Sequence, residues 1–367
     1  MSHTYQYKLL ISTLIFFTVY MIPNACKHRE LAIQVTEENY VHRSIEDVKA
    51  LKKLSDYGMF ELPLSEIKPK DGVFPYDLNS SLFTDYAFKK RFIYLPEGTA
   101  MTYHAEQAFD FPDGSLIFKF FYYPKDFRQP EKNLQHIETR VLIRENNDWT
   151  ALTYIWNDSQ NDAFLTIAGD TKTVAWVDES GKNQTVNYSV PNLIQCKSCH
   201  EYAGKMMPIG PAARHLNKPY AFTTTTTNQL DHFISLGKLQ GVTSAASCPK
   251  ISDYTDTSLT IDDRARAYLD INCAHCHRPE GPAKTSALNL TASEKNPIAY
   301  GVMKTPIAAG IGSGGLKYDI VPGKPDQSIL HYRMNSLDPG VAMPELGRKM
   351  AHTEGLALIS EWINEME

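Results

Sequence analysis

Two copies of one short motif give this 367-residue chain its clearest chemical signal. The motif is Cys-x-x-Cys-His, and it occurs at residues 196–200 (CKSCH) and 273–277 (CAHCH). Two thiols at this spacing reach the two vinyl groups along one edge of a haem, and the histidine after them is placed to ligate the iron. Chance supplies on the order of 0.003 such motifs in a chain with this cysteine and histidine content. We therefore predict two c-type haems, bound by Cys196, Cys199, His200, Cys273, Cys276 and His277.

Two other kinds of site use paired cysteines. A Cys-x-x-Cys pair is half of a four-thiolate zinc site, but these two pairs are much further apart in sequence than the pairs of a zinc ribbon. Both pairs also carry a trailing histidine that such a zinc site does not need. A thioredoxin-like disulfide is disfavoured because no βαβ pattern surrounds either pair.

The second motif is followed by a good candidate for the sixth iron ligand. Met343 precedes Pro344 on a predicted loop just before the C-terminal helix, which is the usual distal-ligand position. Methionine ligation stabilises reduced iron and raises its potential. Met334 lies on a predicted helix and is expected to pack instead. The other candidates are Met303, Met350, His331 and His352.

The first motif has no comparably placed ligand. Met207 follows His200 by a stretch that spans roughly 23–25 Å when extended, so a loop around the haem edge is possible but tight. The open alternatives are an empty position or one of Met206, His215, His104, His136 and His232. At each motif we also predict that a later proline carbonyl, that of Pro211 or Pro282, accepts the proximal histidine Nδ1–H.

The N-terminus predicts export. An almost wholly apolar run at residues 9–21 has the length of a signal-peptide core and is short for a bilayer span. Ala25 before Cys26 is typical of a lipoprotein cleavage site, so we predict a signal peptide at residues 1–25 and a lipid on Cys26. Ordinary secretion and an uncleaved anchor are the alternatives. All three place the chain in the periplasm, or on a membrane facing the periplasm or the cell exterior.

The N-terminal half of the exported chain is predicted to be rich in strands. A lead segment at residues 26–70 carries one predicted helix at 44–57. A β-sandwich domain is predicted at 71–195 because aromatic and β-branched runs alternate there with turn residues. The predicted strands are 116–123, 140–143, 151–156, 173–177 and 185–190.

The C-terminal half is predicted to be helical. A first haem segment and linker occupy residues 196–258, with a short helix at 228–239. Helical periods at 261–271 and 355–366 flank the second motif and predict an all-α cytochrome c domain at 259–367. The predicted fold class is therefore multidomain, with a mainly antiparallel β-sandwich N-terminal domain and an all-α cytochrome c domain.

Composition narrows the function further. The net charge is −5, from 37 basic and 42 acidic residues without a long run of either sign, which disfavours a nucleic-acid partner. The chain contains no nucleophile motif, phosphate loop or dinucleotide fingerprint. No catalytic residue is predicted from these patterns.

The chain also resembles a family of exported bacterial diheme c-type cytochromes, often lipoproteins, over roughly residues 55–367. The strings that carry the resemblance are 81–87 (SLFTDYA), 111–114 (FPDG), 138–140 (ETR), 152–156 (LTYIW), 196–200 with 209–211 (IGP), 264–273 (RARAYLDINC) and 343–347 (MPELG). Members pair a β-rich N-terminal region with a C-terminal cytochrome c domain, so the resemblance implies an exported redox protein. It implies no substrate. His215 stands where the family string has Asn, which argues against this residue as a family ligand.

These features predict an exported diheme cytochrome that relays electrons between redox protein partners and is held to a membrane by a lipid anchor. Electron transfer through this protein needs two covalent haems, and the sequence contains no motif for any other chemistry. The alternative is a diheme peroxidase-like enzyme whose first haem has an open position or a histidine ligand.

Overall fold

An antiparallel sheet of six strands forms the centre of the structure. The computed structural model describes residues 50–223, 225–307 and 309–367. In chain order the strands of these ranges are β1 (Val73–Tyr76), β2 (Phe88–Tyr94), β3 (Met101–Thr102), β4 (Leu116–Pro124), β5 (Leu134–Glu145), β6 (Asp148–Trp156), β7 (Ala163–Thr166), β8 (Asp170–Val177), β9 (Asn183–Val190), β10 (Glu201–Tyr202), β11 (Lys205–Met206), β12 (Pro219–Ala221), β13 (Thr226–Asn228) and β14 (Leu239–Gln240). The large sheet has the order β1-β2-β4-β5-β6-β7.

The helices are short. They are α1 (Leu193–His200), α2 (Ala213–Leu216), α3 (Gln229–Ser235), α4 (Ile261–Asn272), α5 (Ile329–Asn335) and α6 (Thr353–Asn364). The indole of Trp362 on α6 donates to Asp262 Oδ1 on α4 at 2.9 Å. A side chain at Gly355 would collide with the Tyr268 ring, so this glycine allows α6 to approach α4 closely.

The two faces of the large sheet differ in chemistry. On one face Phe92, Phe118 and Phe120 pack edge-to-face with Phe60, which precedes the sheet in the chain. The opposite face is apolar at one end and carries charged side chains across its middle. This second face supports α1, because Cys196 packs in the same core cluster as the apolar residues there: Ile93, Ile117, Leu142 and Ala151.

The second β layer is only a hairpin. Strands β8 and β9 pair with each other, and Trp176 and Tyr188 pack on Tyr123 of β4. The five strands predicted from sequence are confirmed within β4, β5, β6, β8 and β9. The predicted β-sandwich is nevertheless wrong, because two strands cover one end of the large sheet and do not form a second full sheet.

The predicted all-α cytochrome c domain at residues 259–367 is also wrong. Strand makes up 27% of the structure and helix 22%. Between α4 and α6 the described chain has one further α-helix, the seven-residue α5, with loops and single 3₁₀ turns around it. The reason lies in the sequence, since residues 278–328 contain six prolines, and proline both lacks an amide donor and clashes within a helix. The helical periodicity of α4 and α6 is therefore not continued in the chain that connects these two helices.

A loop at residues 79–87 joins the sheet to the C-terminal helices. Phe83 N donates to Asn272 Oδ1 at 2.8 Å. Asp85 Oδ1 accepts from the backbone N–H groups of Lys349 and Met350 at 2.6 and 2.8 Å. All the described residues belong to one compact unit.

A helix is predicted at residues 44–57, but the described part of this segment has no α-helix, and only Ser55–Tyr57 forms a single 3₁₀ turn. Leu54 N donates to Ala163 O at 2.9 Å, and Leu165 N donates to Lys52 O at 3.0 Å, so this segment runs along the edge strand β7. The apolar spacing therefore reflects burial against the sheet. Residues 44–49, the predicted signal peptide and Cys26 lie outside the described residues. Within the described ranges, no helix is long and apolar enough to cross a bilayer.

Candidate functional site

The first motif lies in α1, immediately after β9. A capping box starts this helix, since Asn192 and Gln195 each accept the other's backbone N–H, at 2.9 and 3.0 Å. Cys196 is 7% exposed, and its Sγ lies 3.9 Å from Thr153 Oγ1 on β6. Burial raises the pKa of both Cys196 and Cys199, so both thiols stay protonated.

The ring of His200 is oriented by a backbone carbonyl. Its Nδ1 lies 2.9 Å from Met207 O, because the hairpin β10–β11 turns the chain back beneath the ring. A carbonyl only accepts, so Nδ1 carries the proton and the lone pair is on Nε2. Burial lowers the pKa of His200 to about 4, which keeps the ring neutral. The prediction for Pro211 is wrong, since its carbonyl accepts from Phe109 N at 3.0 Å.

The second motif begins where α4 ends. Thr260 caps the start of this helix by accepting from Asp263 N at 3.1 Å. At the other end Cys273 N donates to Leu269 O, and His277 N donates to Cys273 O, both at 2.9 Å. The helix therefore fixes the position of the motif.

The ring of His277 is oriented by a side-chain hydroxyl. His277 Nδ1 lies 3.0 Å from Ser286 Oγ, and Ser286 Oγ donates to Ala283 O at 2.8 Å. Because the hydroxyl has one proton, it must accept from Nδ1–H, and the lone pair again lies on Nε2. Burial lowers the pKa of His277 to about 4. The prediction that Pro282 accepts this Nδ1–H is wrong.

A cleft beside the second motif brings Met343 and Cys273 together. Its other lining residues include Phe83, Tyr268, Asn272, Met334, Leu346, Arg348 and His352. Met343 thus shares a cleft with a thiol of the second motif, and its ligation of the second iron stays a prediction.

Arg348 holds the Met343 loop in place. Its Nη2 donates to the carbonyl oxygens of Arg333, Ser336 and Met343, at 3.2, 2.8 and 2.9 Å. Arg348 is 9% exposed, so these charge-assisted hydrogen bonds are shielded from water. The guanidinium therefore fixes the loop relative to α5.

The other candidate ligands of the second site are less well placed. Met334 lines the cleft but is buried on α5 in the core of the C-terminal helices, as the packing role predicts. His352 also lines the cleft, with its ring packed among aromatic side chains. Met303 is 50% exposed, and His331 lies on α5 outside the lining of the cleft. Met350 packs against the apolar cluster that contains Trp176 and Tyr188.

The first site has no candidate of equal standing. Met207 orients His200 through its carbonyl, so its backbone lies behind the ring, on the side away from Nε2. Met206 packs against the core that contains Cys196. His215 is 1% exposed, and its Nε2 lies 3.2 Å from Asp270 Oδ1. The remaining candidates have other partners: His104, His136 and His232. Ligation by Met207 stays a prediction.

The two motifs lie side by side. Ala203 N, just after the first motif, donates to Glu280 O, just after the second, at 2.8 Å. Burial, and then the proximity of Cys199, raise the pKa of Cys276 to about 12. Residues far apart in sequence therefore form one site.

These surroundings fit a haem at each motif. All cysteines of the described ranges are free thiols, and each motif histidine is neutral with its lone pair on Nε2. In those ranges no three His, Cys, Asp or Glu side chains are grouped to hold one metal ion.

Comparisons with known proteins give no assignment. No family model, no curated protein and no solved structure among those searched matches this chain. The resemblance described above therefore stays an expectation, and the function has to be argued from the site.

Sequence reasoning missed several polar residues around the motifs, chiefly Ser286, Arg348 and Lys119. One signal was present: Lys119 is the only charged residue of β4, a strand that is otherwise almost wholly apolar. A cation in such a strand requires a partner. Nothing in the local sequence pointed to Ser286.

Proposed function

We propose that this protein is an exported electron carrier that binds two c-type haems and passes electrons between redox partner proteins. One observation carries the proposal: two adjacent Cys-x-x-Cys-His motifs, in each of which the histidine Nδ1–H donates a hydrogen bond and the lone pair is therefore on Nε2. This is the tautomer that an iron ligand needs.

The chain's own groups have definite parts in this function. Each thiol S–H would add across one vinyl C=C bond, so that a thioether forms, the proton ends on the vinyl carbon and no group leaves. His200 and His277 would be proximal ligands, and Met343 the distal ligand of the second iron. A haem bound in this way supplies one-electron chemistry between ferric and ferrous iron.

The contact between the motifs favours transfer within the protein. The backbone hydrogen bond from Ala203 to Glu280 ties the two motif loops together. An electron that enters at one site therefore has a short path to the other. Partner proteins are needed only for its entry and its exit.

We also propose that a lipid on Cys26 holds the exported protein to a membrane. Cys26→Ser should move the protein from the membrane pellet to the soluble periplasmic fraction. A variant that stays in the pellet with its N-terminus uncut would show that the apolar segment at residues 9–21 is the anchor.

A diheme peroxidase-like activity is the second candidate, and the first site favours it. Met207 is held behind the His200 ring, which leaves the distal side of that site without a well-placed sulfur. CO added to the reduced protein should bind at the first haem if this activity is present. A spectrum that CO and peroxide leave unchanged would remove this candidate and leave electron transfer.

The haem count tests the main proposal. Intact mass spectrometry of protein from a host that attaches c-type haem should show two haem additions. Exchange of both thiols for serine at either motif should remove one addition. Cys248→Ser is the matched control, because Cys248 is a buried thiol outside both motifs. A wild-type protein with one haem or none would contradict the proposal.

A further inference from the structure

A row of positive charge crosses the large sheet beneath the first motif. Arg91, Lys119 and Arg140 are paired across β2, β4 and β5, and Arg140 is paired with Thr153 on β6. Directly paired residues lie on the same face of a sheet. Because Cys196 Sγ is 3.9 Å from Thr153 Oγ1, the row leads away from the first motif toward β2.

A fourth cation lies on the same face. Lys89 is two residues from Arg91 along β2, and alternate residues of a strand share a face. The charged groups of Lys89, Lys119 and Arg140 lie 5.9, 4.9 and 4.4 Å from the centroid of the Phe121 ring. Lys89, Arg91, Lys119 and Arg140 form what we call the cationic strip.

The two arginines of the cationic strip have counter-charges. Arg91 Nη1 lies 3.0 Å from Asp77 Oδ1. Arg140 donates to both carboxylate oxygens of the fully buried Glu138, at 2.5 and 3.0 Å. Each guanidinium therefore has a carboxylate partner, although Nη2 of Arg91 is buried without a hydrogen-bond partner.

The two lysines form no direct ion pair in the described chain, although the carboxylates of Asp85 and Glu138 lie near Lys89 and Lys119, respectively. In the part of the chain that the structure describes, neither Lys89 nor Lys119 forms a salt bridge, and Lys89 Nζ donates to the neutral carbonyl of Ala87 at 2.8 Å. Burial, and then repulsion by the neighbouring arginines, lower the pKa of both lysines well below the usual value. Both lysines are partly buried, and neither ammonium is paired directly with a carboxylate, so this face is suited to an anion with two negative charges.

We propose that Lys89 and Lys119 bind the two propionate carboxylates of the haem that Cys196 and Cys199 hold. The proposal rests on the proposed function. A haem carries its two propionates at the edge opposite its vinyl groups, so thiols and carboxylates lie a porphyrin width apart. With strands about 4.8 Å apart, Lys119 lies about 10 Å and Lys89 about 14 Å across the sheet from Thr153. The lysines are thus at a suitable distance from the thiols.

Redox titration of the two-haem protein tests this assignment. Lys89→Met and Lys119→Met should each lower the midpoint potential of the first haem, because a nearby cation favours the reduced form. That haem is identified as the wave lost when Cys196 and Cys199 are replaced by serine. Lys119→Arg keeps the charge and should keep most of the potential. Resonance Raman bands of the propionate groups should shift in both methionine variants.

Lys90→Met is the matched control. Lys90 is the neighbour of Lys89 on β2, but it lies on the other face, with its ammonium 5.9 Å from the centroid of the Tyr122 ring. This variant should leave the first wave and the propionate bands unchanged.

Three results separate the outcomes. If both methionine variants keep two haems and an unmoved first wave, the propionate assignment is overturned. If Lys119→Met and Lys119→Arg both lose the same low-spin spectrum, Lys119 is an iron ligand, and the assignment is again overturned. A wild-type protein without covalent haem overturns the proposed function itself, which the haem count reports independently.

Discussion

The two Cys-x-x-Cys-His motifs share one sequence pattern but lie in different surroundings. The first lies on an eight-residue helix against the sheet, beside the cationic strip. The second follows a twelve-residue helix and lines a cleft with Met343. A backbone carbonyl orients His200, whereas the hydroxyl of Ser286 orients His277.

Under the proposed function, each motif would supply the proximal ligand, and its surroundings would set the properties of that ligand. Both histidines have the same neutral tautomer, although the acceptor of the Nδ1–H is a backbone carbonyl at one and a side-chain hydroxyl at the other. The distal sides differ, since a methionine loop is fixed at the second site and no equivalent loop is found at the first in the described chain. We therefore expect two separate redox waves, with the second site at the higher potential.

Met343→Ala should have the largest effect on this comparison. Loss of the sulfur ligand should lower the potential of the second haem by on the order of 0.1 V, within the ~0.8 V that axial ligands span. The sulfur-to-iron charge-transfer band should disappear while the first wave stays in place. Met334→Ala is the control, because Met334 is a buried methionine lining the same cleft. A charge-transfer band that survives Met343→Ala would place the ligand elsewhere.

Arg348→Met should destabilise the second site selectively. Three carbonyl groups lose a buried charged donor, so we expect the free energy of unfolding to fall by about 2–4 kcal/mol. The second wave should broaden or fall because the Met343 loop is no longer held. Urea unfolding and redox titration measure the two effects. An equal shift in the midpoint potentials of both haems would mean that Arg348 stabilises the whole molecule and not the second site alone.

A pH series tests whether the two regions unfold together. Burial lowers the pKa of His136, on the sheet, to about 4, and that of His352, beside the second cleft, also to about 4. The unfolded chain binds these protons near pH 6.5. The contribution of these histidines to the free energy of unfolding is therefore fully present above about pH 6.5. It is lost as the pH falls toward 4, and for His136 the loss is up to about 3 kcal/mol.

His136→Gln should accordingly flatten the dependence of stability on pH between about 6.5 and 4. Urea unfolding at several pH values measures this slope. If the sheet and the C-terminal helices unfold as one unit, His352→Gln should flatten the same single transition. Two transitions, each altered by one variant, would show that the regions unfold independently.

Local elements were predictable from the sequence because they depend on local periodicity. The helix predicted at residues 261–271 is α4, and the one predicted at 355–366 is α6 with a shift of two residues at each end. The fold class failed because it depends on long-range packing. Nothing in the spacing of apolar residues says that β8 and β9 stay a hairpin or that the chain between α4 and α6 avoids helix.

The candidate site shows the same contrast between local sequence pattern and long-range packing. The thiols and histidines could be predicted because the chemistry fixes their spacing in the chain. Their hydrogen-bond partners could not, since Met207 and Ser286 reach the histidines through loops whose path depends on the folded surroundings. Pro211 and Pro282 were predicted by analogy with the usual loop, and this chain folds differently after both motifs.

Ser286→Ala should give the smallest change and the finest test of the comparison. The variant removes the acceptor of the His277 Nδ1–H, a neutral hydrogen bond worth about 1 kcal/mol, or ~40 mV for one electron. That acceptor makes the imidazole more basic and favours ferric iron, so its loss should raise the second potential by up to ~40 mV. Ser286→Thr keeps a hydroxyl and should restore the original value.

Ser198→Ala is the control inside the first motif, because Ser198 donates to Ile194 O at 3.1 Å and contacts neither proximal ring. The first wave should not move in any of these variants, since His200 relies on a backbone carbonyl that no substitution removes. A second potential that falls, or a first wave that moves with it, would show that Ser286 does not set the basicity of His277.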